Sequence, residues 1–261
     1  QSYTKSFKVP DIRVYHSGNL YYHIQSAIEN ATAGDTVYVW NGTYRENVII
    51  DRGVMLLGNG TANTIIDGAG NTAIRVTGKY ATIANLSVKG ATNLSGTNRF
   101  GILVNESGGA LNATGLRLYD NFHGIYFSTT KKWGSRVADS IIESNTNSGF
   151  GVNTATGLRI ENCTINNNGN DGINLDTTSN VLIYGNHIHN NSGHGIRWNV
   201  GGTGHGVHHN RIIDNGGDGI RTAYVSAGSF TYNEIRNHDM GFGGNRGIHT
   251  GARNSEFLHN N

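Results

Sequence analysis

The feature that most constrains the fold is a repeat of about two dozen residues. A glycine followed by an aliphatic or aromatic residue recurs, and successive glycines are 23, 25, 23, 23, 24 and 28 residues apart. An isoleucine column and an asparagine column hold the same register. The glycine pairs are Gly101-Ile102, Gly124-Ile125, Gly149-Phe150, Gly172-Ile173, Gly195-Ile196, Gly219-Ile220 and Gly247-Ile248; the isoleucines are Ile142, Ile165, Ile188, Ile212 and Ile235, with Leu258 last; the asparagines are Asn145, Asn168, Asn191 and Asn215, followed by His238 and Asn261.

These columns predict a solenoid of stacked coils. Each coil contains short stretches that alternate apolar and polar residues, as from Gly172 to Asp176, and this alternation is typical of β-strands. One coil cannot bury its apolar side chains alone, whereas stacking places equivalent side chains about 4.8 Å apart in a continuous core. Asparagines at equivalent corners are expected to form a hydrogen-bonded ladder. The sequence therefore predicts an all-β parallel β-helix.

The two ends of the chain depart from the repeat. Residues 19–31 carry apolar side chains at helical spacing, which predicts a short capping α-helix with Asn19 as its N-cap and Gly34 just after its end. We therefore divide the chain into an N-terminal segment with the capping helix, residues 1–35, and the β-helix, residues 36–261. The last seven residues match the middle of a coil, so we expect no C-terminal cap. Because a solenoid end needs a cap for solubility, we expect that further domains follow, that a partner covers this end, or that the last turn is frayed.

Composition narrows the class of partner. The net charge is +2 and no basic run occurs, so we expect no nucleic-acid binding. No stretch of about 18 apolar residues predicts a membrane span. Cys163 is the single cysteine, so no intrachain disulfide forms. We expect a secreted or cell-surface protein, with support from N-glycosylation sequons at Asn30, Asn41, Asn59, Asn85, Asn93, Asn105, Asn112, Asn162 and Asn190.

Several segments resemble a known group of proteins. The segments from Ile24 to Ile28, Ala33 to Val39 and Asn41 to Val48 resemble the opening of pectin-lyase-like right-handed β-helix proteins. Later coils, such as Asn170 to Leu175, resemble their parallel β-helix repeats. The resemblance implies a right-handed parallel β-helix solenoid. It leaves function open, because the superfamily includes polysaccharide lyases, polygalacturonase-type hydrolases, uronate epimerases, glycan-binding surface proteins, phage tailspikes and copper-maturation proteins.

Alternation along the strands predicts which side chains share an outer face. Ile173 and Leu175 should point inward, so their neighbours point outward, and stacking collects these neighbours on one wall. Trp198 alternates toward the interior and is expected in the core. The outward residues are Tyr126, Asn174, Asp176, Arg197, Asn199, Arg221 and His249; the residues that precede each glycine form a second column of His123, Ser148, Asp171, His194, Asp218 and Arg246.

We predict catalytic roles for Asp171, His194 and Asp218, which should lie in successive coils. The two aspartates would be roughly 9–10 Å apart, near the upper limit for inverting glycosidases. We expect their charges to raise the pKa of His194 into the range of an acid–base catalyst. The predicted substrate-binding residues are Arg197 and Arg221 as anion clamps, Tyr126 as a stacking surface, and Asn174, Asp176 and His249. No metal site is assigned, although the aspartates leave Ca²⁺ open as a cofactor.

Other interpretations of these residues stay open. The Asp-His-Asp column could be a structural corner ladder, because Asp before Gly commonly forms turns. Asn170 to Ile173 and Gly193-His194-Gly195 resemble polygalacturonase motifs, but the expected Asp pair in the adjacent coil is missing. The Asp-Pro-His element of alginate epimerases is also missing. A metal cluster is a third option, since histidines recur in neighbouring coils at His187, His189, His194, His205, His208 and His209.

The leading hypothesis is an extracellular protein whose partner is an acidic polysaccharide, which it cleaves or modifies by lyase-like or hydrolytic chemistry. A second hypothesis is a non-catalytic carbohydrate-binding or structural module of a larger cell-surface protein. A third is a periplasmic β-helix protein of the copper-maturation type. The stacked acidic and basic face favours the first, while the lack of a complete catalytic motif favours the second.

Overall fold

A computed structural model describes residues 12–14, 18–78, 80–93, 99–105, 110–128, 134–223, 225–236, 247–250, 256–258 and 260. Three long sheets run the length of these residues, and successive strands of the chain visit each sheet in turn. Every pairing within the sheets is parallel except those of the first strand. The described chain is therefore a parallel β-helix, as the repeat predicted.

Sheet A is the longest of the three and begins with the two N-terminal strands. In spatial order its strands are β2 (Leu20–Tyr21), β1 (Ile12–Val14), β3 (Thr36–Val39), β6 (Met55–Gly58), β9 (Ala81–Ala84), β12 (Leu111–Thr114), β15 (Arg136–Ala138), β18 (Arg159–Glu161), β21 (Leu182–Tyr184), β25 (Gly206–His208), β29 (Ser229–Thr231) and β32 (Glu256–Leu258). A two-stranded ribbon of β24 (Gly202–Thr203) and β28 (Val225–Ser226) is separate from the long sheets.

Sheets B and C contribute one strand each to every coil. Sheet B contains β4 (Gly42–Arg45), β7 (Thr64–Asp67), β10 (Ser87–Lys89), β13 (Arg117–Tyr119), β16 (Ile141–Glu143), β19 (Thr164–Asn166), β22 (His187–His189), β26 (Arg211–Ile213) and β30 (Glu234–Arg236). Sheet C contains β5 (Val48–Ile50), β8 (Ile74–Val76), β11 (Phe100–Val104), β14 (His123–Phe127), β17 (Phe150–Thr156), β20 (Ile173–Ser179), β23 (Ile196–Trp198), β27 (Ile220–Thr222) and β31 (Ile248–Thr250).

The core is a continuous apolar column enclosed by the three sheets. The isoleucines from Ile142 to Ile235 are buried from coil to coil, and Ile165 pairs directly with Ile188. Leu258, expected as the last member of this column, lies instead on β32 of sheet A, where it pairs with Thr231 and is exposed. Trp198 is also buried, as predicted. The stretch 81–89 is divided between β9 of sheet A and β10 of sheet B, because Asn85 adopts a left-handed backbone conformation (φ 56°) that turns the chain.

Two asparagine ladders hold corners of the coils. In the predicted ladder, each side-chain amide donates to the next, from Asn121 through Asn145, Asn168 and Asn191 to Asn215, at 2.8–3.1 Å. His238 and Asn261, which were expected to extend it, lie outside the described residues. A second ladder runs from Asn186 to Asn210, Asn233 and Asn260. The sequence analysis did not identify this second ladder.

The capping helix is shorter than predicted. Helix α1 spans Ile24–Asn30, and the residues expected to form its first turn belong instead to β2. The predicted N-cap, Asn19, is wrong, because Glu46 accepts the backbone N–H groups of Ile24 and Gln25, each at 3.2 Å. The Gln25 side chain in turn accepts the N–H of Ile49 at the edge of sheet C. The helix therefore covers the first coil, as expected.

Within the described residues, no helix is both long and apolar enough to cross a membrane. The division of the chain at residue 35 stays a prediction, because strands β1 and β2 of the N-terminal segment extend sheet A directly. Most residues after Thr250 lie outside the described part of the chain, and so does the expectation of an uncapped C-terminal end.

Candidate functional site

The outer surface of sheet C, hereafter the C face, collects the predicted site residues. Its central column is formed by residues that are direct partners in successive strands, so each neighbour is about 4.8 Å away. The column contains Ile49, Arg75, Leu103, Tyr126, Gly151, Asn174, Arg197, Arg221 and His249. Five of the six predicted substrate-binding residues thus lie in one row. Asp176 lies beside the row, next to Asn199.

The predicted catalytic residues form a second column along one side of the C face. Gly149 N–H donates to the carbonyl of Asp171, Gly172 N–H to that of His194, and Gly195 N–H to that of Asp218. These backbone bonds place Asp171, His194 and Asp218 in successive coils, as predicted. Arg246, which was expected to continue the column, lies outside the described residues.

Asp171 is buried beneath the surface of the C face, with its side chain only 1% exposed. One carboxylate oxygen accepts the backbone N–H of His194 at 2.8 Å, and the other accepts the Asn174 amide at 3.0 Å. The Arg197 guanidinium lies 3.8 Å away. Asp171 therefore ties two coils together and orients Asn174 and Arg197, and direct contact with a substrate would require it to be uncovered.

The prediction of a raised pKa for His194 is wrong. Burial lowers its pKa more than the charges of Asp171 and Asp218 raise it. The geometry agrees, because the backbone N–H of Asp218 donates to Nδ1 of His194 at 2.7 Å and so requires a lone pair there. The neutral ring then carries its proton on Nε2; because a guanidinium only donates, Nε2 and Arg221, 3.3 Å apart, make no hydrogen bond in this tautomer. In this state His194 presents a hydrogen-bond donor and no free base.

Asp218 and His249 form a pair with a different character. A carboxylate oxygen of Asp218 lies 3.4 Å from Nδ1 of His249 and 3.6 Å from Nδ1 of His194. The Asp218 side chain is buried, whereas that of His249 is 45% exposed. A buried carboxylate that holds Nδ1 leaves Nε2 as the free nitrogen of an imidazole. His249 is therefore better placed than His194 for proton transfer at the surface.

The opposite half of the C face contains an aromatic cluster. The rings of Phe100 and Tyr126 stack with centroids 4.5 Å apart, and His123 lies 5.7 Å from Phe100. Gly151 gives the Tyr126 ring its space, because a Cβ there would lie 2.5 Å from the ring. Burial raises the pKa of Tyr126, and the charge of Asp176 adds to this effect.

Two cavities open along this aromatic half. One of about 360 Å³ is lined by arginines and apolar side chains, and one of about 240 Å³ lies beside it. Arg75 lines both. Arg75 was not predicted, because the coils before residue 101 lack the glycine that marks the register. Arg99 and Phe100 were not predicted either, although Phe100 directly precedes Gly101 and pairs with His123. The first cavity is lined by Arg75, Arg99, Phe100, Leu103, Asn105, Tyr126 and Ser128.

A Ca²⁺ site does not emerge from the aspartates. Asn199 donates to the side chains of Asn174 and Asp176, both at 2.7 Å, and Asp171 is occupied by its own donors. Among the described residues no three His, Cys, Asp or Glu side chains are grouped to hold a metal ion. Asp176 is then a single carboxylate beside amide side chains. These groups supply too few oxygen ligands for Ca²⁺, which binds six to eight.

The expected six-histidine cluster is not formed. His187 and His189 lie on sheet B, His208 lies on sheet A, and His194 flanks the C face. His205 is buried against Trp198, with ring centroids 5.3 Å apart. The three sheets carry neighbouring coil positions to different sides of the solenoid, so proximity in the sequence does not give proximity in space.

Comparison with known proteins agrees with this architecture. The family model described as "Right handed beta helix region" matches residues 100–261, which is more than half of the chain. The chain belongs to the right-handed β-helix family. No curated protein sequence matches it significantly. The predicted right-handed parallel β-helix fold is confirmed.

Solved structures share the right-handed β-helix fold at low sequence identity. The A-module of mannuronan C-5 epimerase AlgE6 from Azotobacter vinelandii is 19% identical with a TM-score of 0.60, over 82% of this chain and 71% of the module. Pectate lyase Pel9A is 16% identical with a TM-score of 0.56, over 90% and 70%. Tailspike gp49 of Acinetobacter baumannii bacteriophage Fri1, a capsular polysaccharide depolymerase, is 11% identical with a TM-score of 0.60, over 91% and 54%.

Proposed function

We propose that this protein binds an acidic polysaccharide along the C face, parallel to the solenoid axis. The observation that carries the proposal is the unbroken row from Ile49 to His249, which presents arginines and an aromatic ring in one line. The spacing of about 4.8 Å between strands is close to the rise of one sugar in an extended polysaccharide. A linear polymer can therefore meet an equivalent position in every coil.

The charges of the row favour an acidic ligand. The side chain of Arg197 is 38% exposed and Arg221 is exposed, and their guanidinium groups lie 3.8 Å from Asp171 and 3.3 Å from His194. Guanidinium groups bind carboxylates and sulfates through paired hydrogen bonds. At the other end, Arg75 and the ring of Tyr126 border the larger cavity, where a sugar can combine an ionic contact with stacking. The solved structures named above include proteins described as acting on mannuronan, pectate and capsular polysaccharide, which supports the same class of ligand.

The binding proposal is tested by calorimetry with size-defined uronate oligosaccharides and neutral oligosaccharides of equal length. We expect the uronates to bind and the neutral sugars to bind weakly or not at all. Arg197→Ala and Arg221→Ala should each reduce uronate affinity. The matched control is Arg159→Ala, which removes an exposed arginine from sheet A. Equal loss in all three variants, or no loss in the first two, would refute a site on the C face.

A second candidate function is proton abstraction from the bound uronate, as in a lyase or an epimerase. The pair of Asp218 and exposed His249 favours it, because an oriented imidazole can accept the proton while Arg221, the neighbour of His249 in the row, neutralises the uronate carboxylate. The catalytic roles predicted for Asp171 and His194 become positioning roles in this scheme. Hydrolysis by Asp171 as an acid finds less support, since that side chain is covered.

Catalysis is tested by incubating the protein with uronic-acid polymers and following unsaturated products, new reducing ends and the configuration at C5. His249→Ala should abolish turnover while Arg197-dependent binding persists. Selective binding of the polymer without any of these products would support the binding function and refute the catalytic function. A secreted or cell-surface location, where such polymers occur, is part of the proposal.

A further inference from the structure

The outer surface of sheet B carries two facing imidazoles that the C face does not use. His187 and His189 are two residues apart on β22, so both point outward while Ile188 between them is fully buried. Their ring centroids are 4.1 Å apart and the planes are tilted by 30°. This is the closest ring pair recorded among the described residues.

We propose that His187 and His189 form a two-histidine binding site for a divalent late transition-metal ion, of the class of Cu²⁺, Ni²⁺ or Zn²⁺. Imidazole nitrogens suit these ions better than Ca²⁺ or Mg²⁺. Metal–nitrogen bonds are about 2.0–2.1 Å, so two imidazoles on one ion place their nitrogens about 3–4 Å apart. The two ring centroids are 4.1 Å apart, so rotation of the side chains can bring one nitrogen of each ring to this separation.

A neighbouring amide supplies a further ligand. Asn166 is the direct partner of His189 on the adjacent strand β19. Its side-chain oxygen is buried and has no hydrogen-bond partner among the described residues. A buried acceptor without a partner costs free energy, which an ion bound between the rings would recover. The site therefore has two nitrogens and one oxygen on adjacent strands, with the remaining positions open to water.

The carboxylates of Glu234 and Asp214 lie close enough to act electrostatically on these rings, and they offset the positive charge of Arg211.

Arg211 competes with the ion for one lone pair. Its Nη1 donates to Nε2 of His187 at 2.9 Å, and its Nε is held by Glu234 at 3.0 Å. A metal ion that uses Nε2 must displace this guanidinium. The structure thus predicts a particular pattern, in which loss of either histidine weakens binding and loss of Arg211 strengthens it.

The test is calorimetric titration of the whole chain with CuCl₂ alone, together with electron paramagnetic resonance of the Cu²⁺ complex. We expect His187→Ala and His189→Ala to weaken Cu²⁺ binding at least about tenfold, because even outer-shell partners of a metal contribute about 10–100-fold. Arg211→Ala should tighten it. His209→Asn, which alters an exposed histidine outside sheet B, at the corner just before β26, is the matched control and should change nothing.

The spectrum of the wild-type complex should show coupling to two imidazole nitrogens, and either histidine variant should lose one. The proposal is overturned if the wild-type chain does not bind Cu²⁺, if both histidine variants bind as the wild type does, or if His209→Asn weakens binding equally. Circular dichroism of each variant shows that the fold is kept. The outcome is independent of the proposed polysaccharide site, which lies on sheet C.

Discussion

Asn168→Ala tests the physical basis of the solenoid, because Asn168 lies in the middle of the first asparagine ladder. Its side-chain oxygen accepts the N–H and the amide of Asn145, at 3.2 and 3.0 Å. Its amide donates to the carbonyl of Ile142 at 3.2 Å and to Asn191 at 2.8 Å. Alanine removes all four bonds from a position that is 1% exposed.

The magnitude follows from the partners that lose their only bond. The backbone N–H of Asn145 and the second N–H of its amide lose the partner that Asn168 supplied, whereas Asn191 still accepts the backbone N–H of residue 168. Each unsatisfied buried group costs about 1–3 kcal/mol. We therefore expect the free energy of unfolding to fall by about 2–6 kcal/mol, a large part of the stability of a typical domain.

Urea denaturation followed by circular dichroism measures this loss. Asn153→Ala is the matched control, because Asn153 is an exposed asparagine on β17 with the same change in side-chain volume. The control should lose less than about 0.5 kcal/mol. If Asn168→Ala and Asn153→Ala unfold within about 1 kcal/mol of each other, the ladder does not hold the coils together and the reasoning is wrong.

Three further predictions concern other residues. Burial lowers the pKa of His123 and of His205 to about 4, so the unfolded chain binds more protons below about pH 6.5. The free energy of unfolding should therefore fall between pH 6.5 and 4, by on the order of 3 kcal/mol for each histidine, and replacing either with Gln should flatten the pH profile of urea denaturation. Gly151→Ala would place a Cβ 2.5 Å from the Tyr126 ring, so it should weaken uronate binding in calorimetry with little change in melting temperature. Burial raises the pKa of the Cys163 thiol to about 12, so thiol reagents should label it only after unfolding, and rapid labelling of the folded protein would contradict its position.

The repeat alone was enough to predict the fold, because the spacing of equivalent residues along the chain already defines which residues stack. Equivalent residues recur at nearly constant steps, and a parallel β-helix turns equal steps into direct neighbours. The ladder from Asn145 to Asn215 and the burial of Trp198 followed from this register without further information. The second ladder was not predicted, although its steps of 24, 23 and 27 residues are similar to those of the glycine column.

The same register brought the site residues together, but it could not give their environment. The sequence placed Asp171, His194 and Asp218 in successive coils, yet only the structure showed that Asp171 is covered. It also showed that a backbone N–H occupies Nδ1 of His194 and that burial lowers the pKa of this ring in spite of the two carboxylates. The burial of a side chain and the direction of its hydrogen bonds depend on atoms from several coils, so the sequence of one coil cannot give them.

The sequence determined which residues stack on one another, because stacking depends only on the number of residues between equivalent positions of successive coils. What the tertiary structure decided was which of three sheets each coil position occupies and how deep each side chain lies. His187 and His189 face each other on sheet B, while His205 is in the core and His208 lies on sheet A. The corners that direct the chain from sheet to sheet set these positions, since a left-handed residue such as Asn85 turns the chain by its backbone conformation, independently of any side-chain pattern.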